Sequence, residues 1–395
     1  MRTPLVPMVI IAIMFSILGF AVGINAFFVP FVKAAFHISS AESYLVTTAT
    51  FSAFVLFGLP SGWILQRAGY RRSMLFSFIV MALGMYLIAP SAQLKSFPLF
   101  LFALFMNGTG QTLLNTAVNP YITILGPVNS AARRISIMGI CNKLSFGVAP
   151  VVLAFFMDTR DVQLSDAIIP FYYIAGILII LGILTYFAPL PELKAAGEET
   201  TDPGKSLPAQ TNPKTSIFQF PHLLLGALAI FIYVGVETIA LVSIIDYAIE
   251  IGLPSPEKYT LYTSAGYILG YSAGIVLIPR ILSQIYMMRI SALLGIGSSL
   301  LVVWLPGEIS IYFVAVLGIA NSMLWPAIWP LALADLGRFT KTGSSLLVMG
   351  IVGGGLLPLL LGFLKDHFTY HEAYWMLVPL YLYFLFYALK GYKLR

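Results

Sequence analysis

Twelve runs of predominantly apolar residues, each close to the length needed to cross a bilayer, follow one another along the chain. They cover 7–32, 43–66, 73–90, 97–125, 135–157 and 167–188, then 223–248, 259–279, 290–305, 309–334, 344–364 and 374–389. A helix spans the hydrocarbon layer with about 20 apolar residues. No water reaches the backbone there, so only helices or closed barrels can cross. Runs of this length predict an all-α membrane protein with twelve transmembrane helices. Charged residues make up only 10% of the 395, against roughly a quarter in soluble domains, which excludes an ordinary soluble fold.

A long polar interval at 191–216, rich in Glu, Lys, Pro, Gly and Thr, separates six runs from six. It reads as a cytoplasmic linker between an N-terminal six-helix bundle (1–190) and a C-terminal one (217–395). The halves carry echoes of each other at an offset near 211 residues. Asn119-Pro120 and Leu125-Gly126 return as Trp329-Pro330 and Leu336-Gly337, and Met138-Gly139-Ile140 returns as Met349-Gly350-Ile351. Gly62 with Arg67 is echoed more weakly by Gly274 with Arg280. The shared offset predicts two pseudo-symmetric bundles, an arrangement that serves carriers with a site at the midplane.

Basic residues set the expected orientation, because short cytoplasmic loops collect Lys and Arg. Sixteen fall on the face that holds both termini, against five (Lys33, Lys95, Arg160, Lys258 and Lys365) on the other. Both termini are therefore expected in the cytoplasm. The net charge of +6 then reflects contact with anionic lipid headgroups, and no nucleic-acid partner is implied. The first run is too long for a cleaved signal peptide, and no cleavage site follows it. The single cysteine, Cys141, excludes a disulfide within the chain and cysteine metal sites. His37, His222, His367 and His371 fall near membrane ends with no metal-binding spacing. No cofactor is expected. With no phosphate loop, catalytic triad or carboxylate pair in view, neither is an enzyme.

Polar residues inside the apolar runs mark the candidate site, since such groups at membrane depth line paths or glue helices. The fourth run carries Asn107, Gln111, Asn115 and Asn119 at four-residue intervals, hence on one helix stripe. Amides offer donors and acceptors together, which suits a neutral hydroxylated ligand. Asn119 could instead satisfy a backbone carbonyl left unpaired by Pro120. The tenth run repeats the spacing with Asn321, Trp325 and Trp329, and Pro326 and Pro330 interrupt its hydrogen bonding. An indole face there could stack on an apolar ligand face. Lys143 lies roughly 13 Å past Arg134 along a helix, too deep for easy snorkelling. It is expected either to face the site or to pair with an acid. Glu237 is the other deep charge, read as a binding residue or as one partner of a fixed ion pair or helix-to-helix hydrogen bond. Gly266, Gly270 and Gly274 are expected to let the eighth helix approach a neighbour closely. Gly353-Gly354-Gly355 should serve packing or bending. Tyr267 and Tyr271 could reach the site or belong to the packing.

The segment Gly62-Trp63-Ile64-Leu65-Gln66-Arg67-Ala68-Gly69-Tyr70-Arg71-Arg72 resembles the loop signature of the major facilitator superfamily, with Gln66 in place of its usual acid. A narrower resemblance spans most of the chain. It rests on Asn115 to Pro127, on Arg134 with Asn142 and Pro150, on Tyr233-Val234-Gly235-Val236-Glu237, and on Thr340-Lys341-Thr342-Gly343-Ser344-Ser345 leading to Gly353-Gly354-Gly355. These resemble the fucose, glucose and galactose permeases of that superfamily. The resemblance implies a secondary carrier importing a monosaccharide, a hexose such as glucose, galactose or mannose, through a bacterial inner membrane, with one chain sufficient for transport. Asn25, Gln111, Asn115, Asn142, Lys143, Glu237, Asn321, Trp325 and Trp329 form the expected substrate-binding set, and Gly62, Arg67, Gly69, Arg71 and Arg72 the gating loop.

Proton symporters of that family carry an Asp at the position of Ala26 and a Glu at that of Asn115, and related permeases a small polar residue at that of Lys143. Both carboxylates are missing here. Coupling therefore either passes to Glu237, or uses another ion such as sodium, or is absent. Three alternatives keep the fold: a carrier of amino or acidic sugars, suggested by Lys143, an exporter or flippase of amphipathic molecules, and a sugar sensor that does not transport.

Overall fold

Removed from water, an apolar run satisfies its own backbone by forming a helix, and the computed structural model of this chain does so throughout. It describes residues 5–125, 131–157, 163–190, 216–277, 283–336 and 340–394. The first half contributes α1 (Leu5–Phe36), α2 (Leu45–Leu65), α3 (Arg67–Gln93), α4 (Phe97–Ile124), α5 (Ala131–Leu153) and α6 (Ile168–Phe187). The second contributes α7 (Pro221–Glu250), α8 (Tyr259–Leu277), α9 (Gln284–Trp304), α10 (Gly307–Leu333), α11 (Leu346–His367) and α12 (Tyr370–Lys393). Among the described residues eleven of these are long and apolar enough to cross a membrane by composition alone. The other, α8, has 19 residues diluted by Tyr, Ser, Thr and Gly. The expected linker up to residue 215, and Gly126, Pro127, Arg160, Arg280 and Gly337, lie outside the described residues, as do the side chains of Gln66 and of the run from Thr340 to Ser345 apart from Gly343.

Helix starts and breaks follow local chemistry. Ser96 caps α4 by accepting from the Leu99 N–H, with proline in the first turn. The rod formed by α2 and α3 turns at Gly69, whose φ of 75° only glycine adopts freely. The α10 span breaks at Met323, where Pro326 has no N–H to give the Ser322 carbonyl. In α11, Gly350–Val352 tightens into a 3-10 turn just ahead of the glycine triplet.

The two bundles repeat each other in their close crossings. A Cβ built on Gly19 of α1 would lie 1.9 Å from the Asn142 carbonyl oxygen of α5, and one on Gly353 of α11 would lie 1.9 Å from that of Phe231 in α7. Likewise Gly108 of α4 meets the Thr50 carbonyl of α2, as Gly318 of α10 meets that of Thr263 in α8. These pairs keep close to the offset of the sequence echoes, so the duplication extends to packing. Gly266, Gly270 and Gly274 pack against Ala315, Ser322 and Met323 of α10, the close approach their spacing predicts.

The halves meet where α1 touches α7, α2 touches α11 and α5 touches α8. Several of these contacts lie toward the distal end, the end opposite the chain termini. There Asp366, at the end of α11, accepts from the N–H groups of Ser40 (2.7 Å) and Ala41 (2.8 Å). These open the short helix Ser40–Ser43 between α1 and α2, where Ser39 and Glu42 form a capping box. Lys33 donates to the Ser40 hydroxyl at 2.8 Å. Thr48 donates to the Gly355 carbonyl at 2.9 Å, and Thr260 of α8 to the Gly147 carbonyl of α5 at 3.1 Å. Lys365 of α11 pairs with Asp246 and with Glu250 (3.4 Å), both of α7. The halves are thus fastened to each other at the distal end.

Candidate functional site

Lys143 and Glu237 each sit near the middle of a membrane helix, Lys143 on α5 and Glu237 on α7, so one comes from each half. Their charged groups meet at 2.9 Å, with side chains only 12% and 15% exposed. The Tyr233 hydroxyl, one turn before Glu237, donates to the same carboxylate oxygen at 2.7 Å. The Lys143 ammonium also stands 4.9 Å from the Tyr267 ring centroid in α8, a cation–π distance. A charge at membrane depth is costly when alone; here each has its partner in the opposite half. Lys143 therefore pairs with an acid, and that acid is Glu237, a match not drawn from the sequence.

Aromatic rings extend the cluster. Trp325 lies 5.6 Å from Tyr233, centroid to centroid, and Trp329 stacks on Trp325 at 5.1 Å and 28°. Only Trp325 of the two has a ring contact with the residue that touches Glu237. Tyr271 neighbours Tyr267 at 6.4 Å, with Gly139 of α5 against its ring. Asn321 is fully buried and accepts from the Tyr381 hydroxyl of α12 at 2.8 Å. Its Nδ2 and the Tyr267 hydroxyl are buried and have no hydrogen-bond partner among the described residues.

The first half contributes amides. Gln111 donates to Asn107 Oδ1 at 2.6 Å, Asn115 to the Gln111 carbonyl at 3.1 Å, and Asn119 to the Asn115 carbonyl at 2.9 Å and its Oδ1 at 3.3 Å. The expected stripe thus forms a ladder along α4. Asn25 is buried in α1 and accepts from Thr50 at 3.3 Å. Asn25 Nδ2, Asn107 Nδ2 and Gln111 Oε1 are buried and have no hydrogen-bond partner among the described residues. A buried polar atom left so costs about 1–3 kcal/mol, a cost that a polar ligand or water would offset. Asn142 donates to the Phe15 carbonyl at 3.1 Å, across the α1–α5 crossing; this bond joins helices.

The segment expected to form a gating loop is helical on both sides of Gly69, with Gly62 and Trp63 on α2 and Arg67, Arg71 and Arg72 on α3. There the Arg67 guanidinium covers the Trp63 ring at 4.1 Å, and Arg71 donates through Nε to the Leu190 carbonyl at 2.8 Å. Arg72 is exposed, and a Cβ on Gly62 would meet nothing within 4 Å. Arg134 is buried and donates to the Ile122 carbonyl at 3.0 Å, tying α5 to α4 near the terminal end.

The sequence pointed to Glu237, Lys143 and the tryptophans, but it gave Tyr233 no role of its own and left Tyr267 undecided. The four-residue step from Tyr233 to Glu237 was the available signal. Asp366, which fastens the distal end, had none, since its partners are backbone groups of a distant turn.

Two six-helix bundles repeating one packing scheme, with a polar and aromatic cluster where they meet at mid-membrane, define a multi-pass membrane carrier. The chain belongs to the Major Facilitator Superfamily, whose model matches residues 10–351, a superfamily of transporters. It is 32% identical over 399 residues to the glucose/galactose transporter of Brucella abortus, covering 97% of this chain and 93% of that one. It is 24% identical to the L-fucose-proton symporter of Escherichia coli, with 92% and 88% covered. The crystal structure of a Major Facilitator Superfamily transporter, FucP, in the outward conformation superposes with a TM-score of 0.71 at 22% identity, covering 98% of this chain and 99% of that one.

Proposed function

We propose that this protein is a secondary carrier that imports a monosaccharide, a hexose such as glucose, galactose or mannose, by alternating access. The observation that carries the reading is the cluster of Lys143, Glu237, Tyr233 and Trp325 at the junction of the halves. Charged donors and acceptors beside indole and phenol rings suit a ligand with hydroxyls on its edge and C–H groups on its face. Sugar carriers among its relatives support the substrate class. The expected binding set, Asn25, Gln111, Asn115, Asn142, Lys143, Glu237, Asn321, Trp325 and Trp329, is kept as part of this proposal. Within it Asn142 acts through helix packing, and Trp329 acts by supporting Trp325.

The Lys143–Glu237 pair bears on the alternatives. An anionic sugar would need a free cation, and Lys143 is already neutralised by Glu237. The reading therefore favours a neutral ligand over acidic or amino sugars, and the amide ladder of α4 favours a small polar ligand over an amphipathic one. We place both termini in the cytoplasm of a bacterium, with the protein in its inner membrane and acting as a single chain. The terminal end is then the cytoplasmic end, and the fastened distal end the outer one. The bundles divide as 1–190 and 217–395 about the linker.

Counterflow uptake of labelled glucose, galactose, mannose, fucose and N-acetylglucosamine into liposomes holding the purified protein tests this. Saturable uptake of one hexose is the expected result. Uptake of none by folded, inserted protein would overturn it.

A further inference from the structure

We infer that the carrier is an uncoupled facilitator, with the Lys143 ammonium holding at Glu237 the place that a transported cation would take. This rests on the reading of that cluster as the sugar site.

Glu237 is the only carboxylate among the described residues near the middle of a membrane helix; Asp246, Glu250 and Asp366 belong to the distal end. From α5 comes Lys143, bound to Glu237 Oε1. Its own helix α7 supplies Tyr233, on the same oxygen. Helix α8 brings Tyr267 and Tyr271, and α12 brings Tyr381, all within electrostatic reach. Helix α10 brings Asn321 and Trp325, which are neutral. The described charges of α1 and α11, Lys33, Lys365 and Asp366, lie at the distal end. Among the described residues one positive charge therefore faces the carboxylate, and it is covalently part of the protein.

A proton taken up by Glu237 would strand the Lys143 ammonium at membrane depth without its counter-charge. A sodium ion at the same carboxylate would sit against that ammonium, whose repulsion is little screened there. Either ion meets an occupied site. The amides of the first half, Asn25, Asn107, Gln111, Asn115 and Asn119, neither gain nor lose a proton in this setting. A hexose, carrying hydroxyls and no charge, can exchange hydrogen bonds with Lys143, Tyr233 and Glu237 while the pair stays neutral as a whole. Such a carrier brings its sugar to equal concentration on both sides and no further.

The test uses proteoliposomes loaded with a pH-sensitive dye and given the hexose that counterflow identifies. Sugar entry is expected without proton entry above a sugar-free control. An imposed inward pH or sodium gradient is expected to leave the sugar equal inside and out. A one-unit pH gradient could hold about tenfold accumulation in a one-to-one proton symporter; accumulation of that order, or its sodium-driven equivalent, would overturn the inference and leave the sugar reading intact. Absence of counterflow for every hexose would instead remove the sugar reading itself. Lys143→Met tests the residue assigned. With its counter-charge gone, Glu237 is expected to make uptake faster as pH falls and to bring protons in with the sugar, while Lys143→Arg stays uncoupled. A Lys143→Met carrier that transports without pH dependence would overturn the role given to Lys143. If Lys143→Met fails to insert, the wild-type gradient experiment decides alone.

Discussion

Glu237 holds the Lys143 ammonium at 2.9 Å across the junction of two six-helix halves, and both side chains are mostly buried. Two charges that each half would keep out of the membrane become tolerable only when the halves come together. The pair therefore belongs to site and assembly at once.

Reversing one charge should show this. In Lys143→Glu two carboxylates face each other, and breaking a buried pair costs about 3–5 kcal/mol. The double reversal, Lys143→Glu with Glu237→Lys, should recover most of that loss. Thermal unfolding of the detergent-purified proteins reads it; a double variant no more stable than the single one would mean that the pair is not coupled.

Trp325 and Trp329 should behave differently despite their identical chemistry. Trp325 touches Tyr233, whereas Trp329 touches Trp325. Trp325→Ala is expected to weaken sugar affinity by about tenfold, the effect of losing roughly 1.4 kcal/mol. Trp329→Ala should weaken it by less. Concentration dependence of counterflow separates them, and a larger effect at Trp329 would contradict the arrangement.

Gly355 sets how closely α2 and α11 approach. A Cβ there would lie 2.9 Å from the Thr48 Cα, which backbone cannot relieve cheaply. Gly355→Val should block fastening of the distal end and abolish transport, while leaving a protein that inserts and elutes as a single species. Wild-type transport rates in this variant would show that the contact is dispensable.

Asp366 fastens the same end through two backbone donors. Because the side chain is exposed, Asp366→Asn should cost only about 1 kcal/mol. Hydrogen exchange at Ser40 and Ala41 is then expected to quicken by about fivefold. Unchanged protection would mean that other contacts hold the turn.

The architecture was legible because the membrane leaves few choices: apolar length gives a helix, prolines and Gly69 give the breaks, and the echoes give the two bundles. Even α8, whose Tyr, Ser, Thr and Gly lower its hydropathy, follows from its place between stronger segments. The site was legible residue by residue but not as a set. Lys143 and Glu237 each stand out as a deep charge, yet no periodicity links two helices so far apart in the chain. Polar residues were harder still. Asn142 and Asn115 look alike in sequence, and only the Phe15 carbonyl across the α1–α5 crossing separates helix glue from ladder.

The sugar is proposed to bind against Glu237, Lys143 and Trp325 where the halves meet. Equilibrium titration of the purified protein with its transported hexose, beside Glu237→Gln and Trp325→Ala, tests that most directly. A hydrogen bond to a charged group contributes about 1.5–3 kcal/mol, so Glu237→Gln should bind at least about tenfold more weakly than the wild type, and Trp325→Ala, which loses the ring, about tenfold more weakly. Equal affinity in all three, with each variant folded, would place the sugar elsewhere and contradict binding at this cluster.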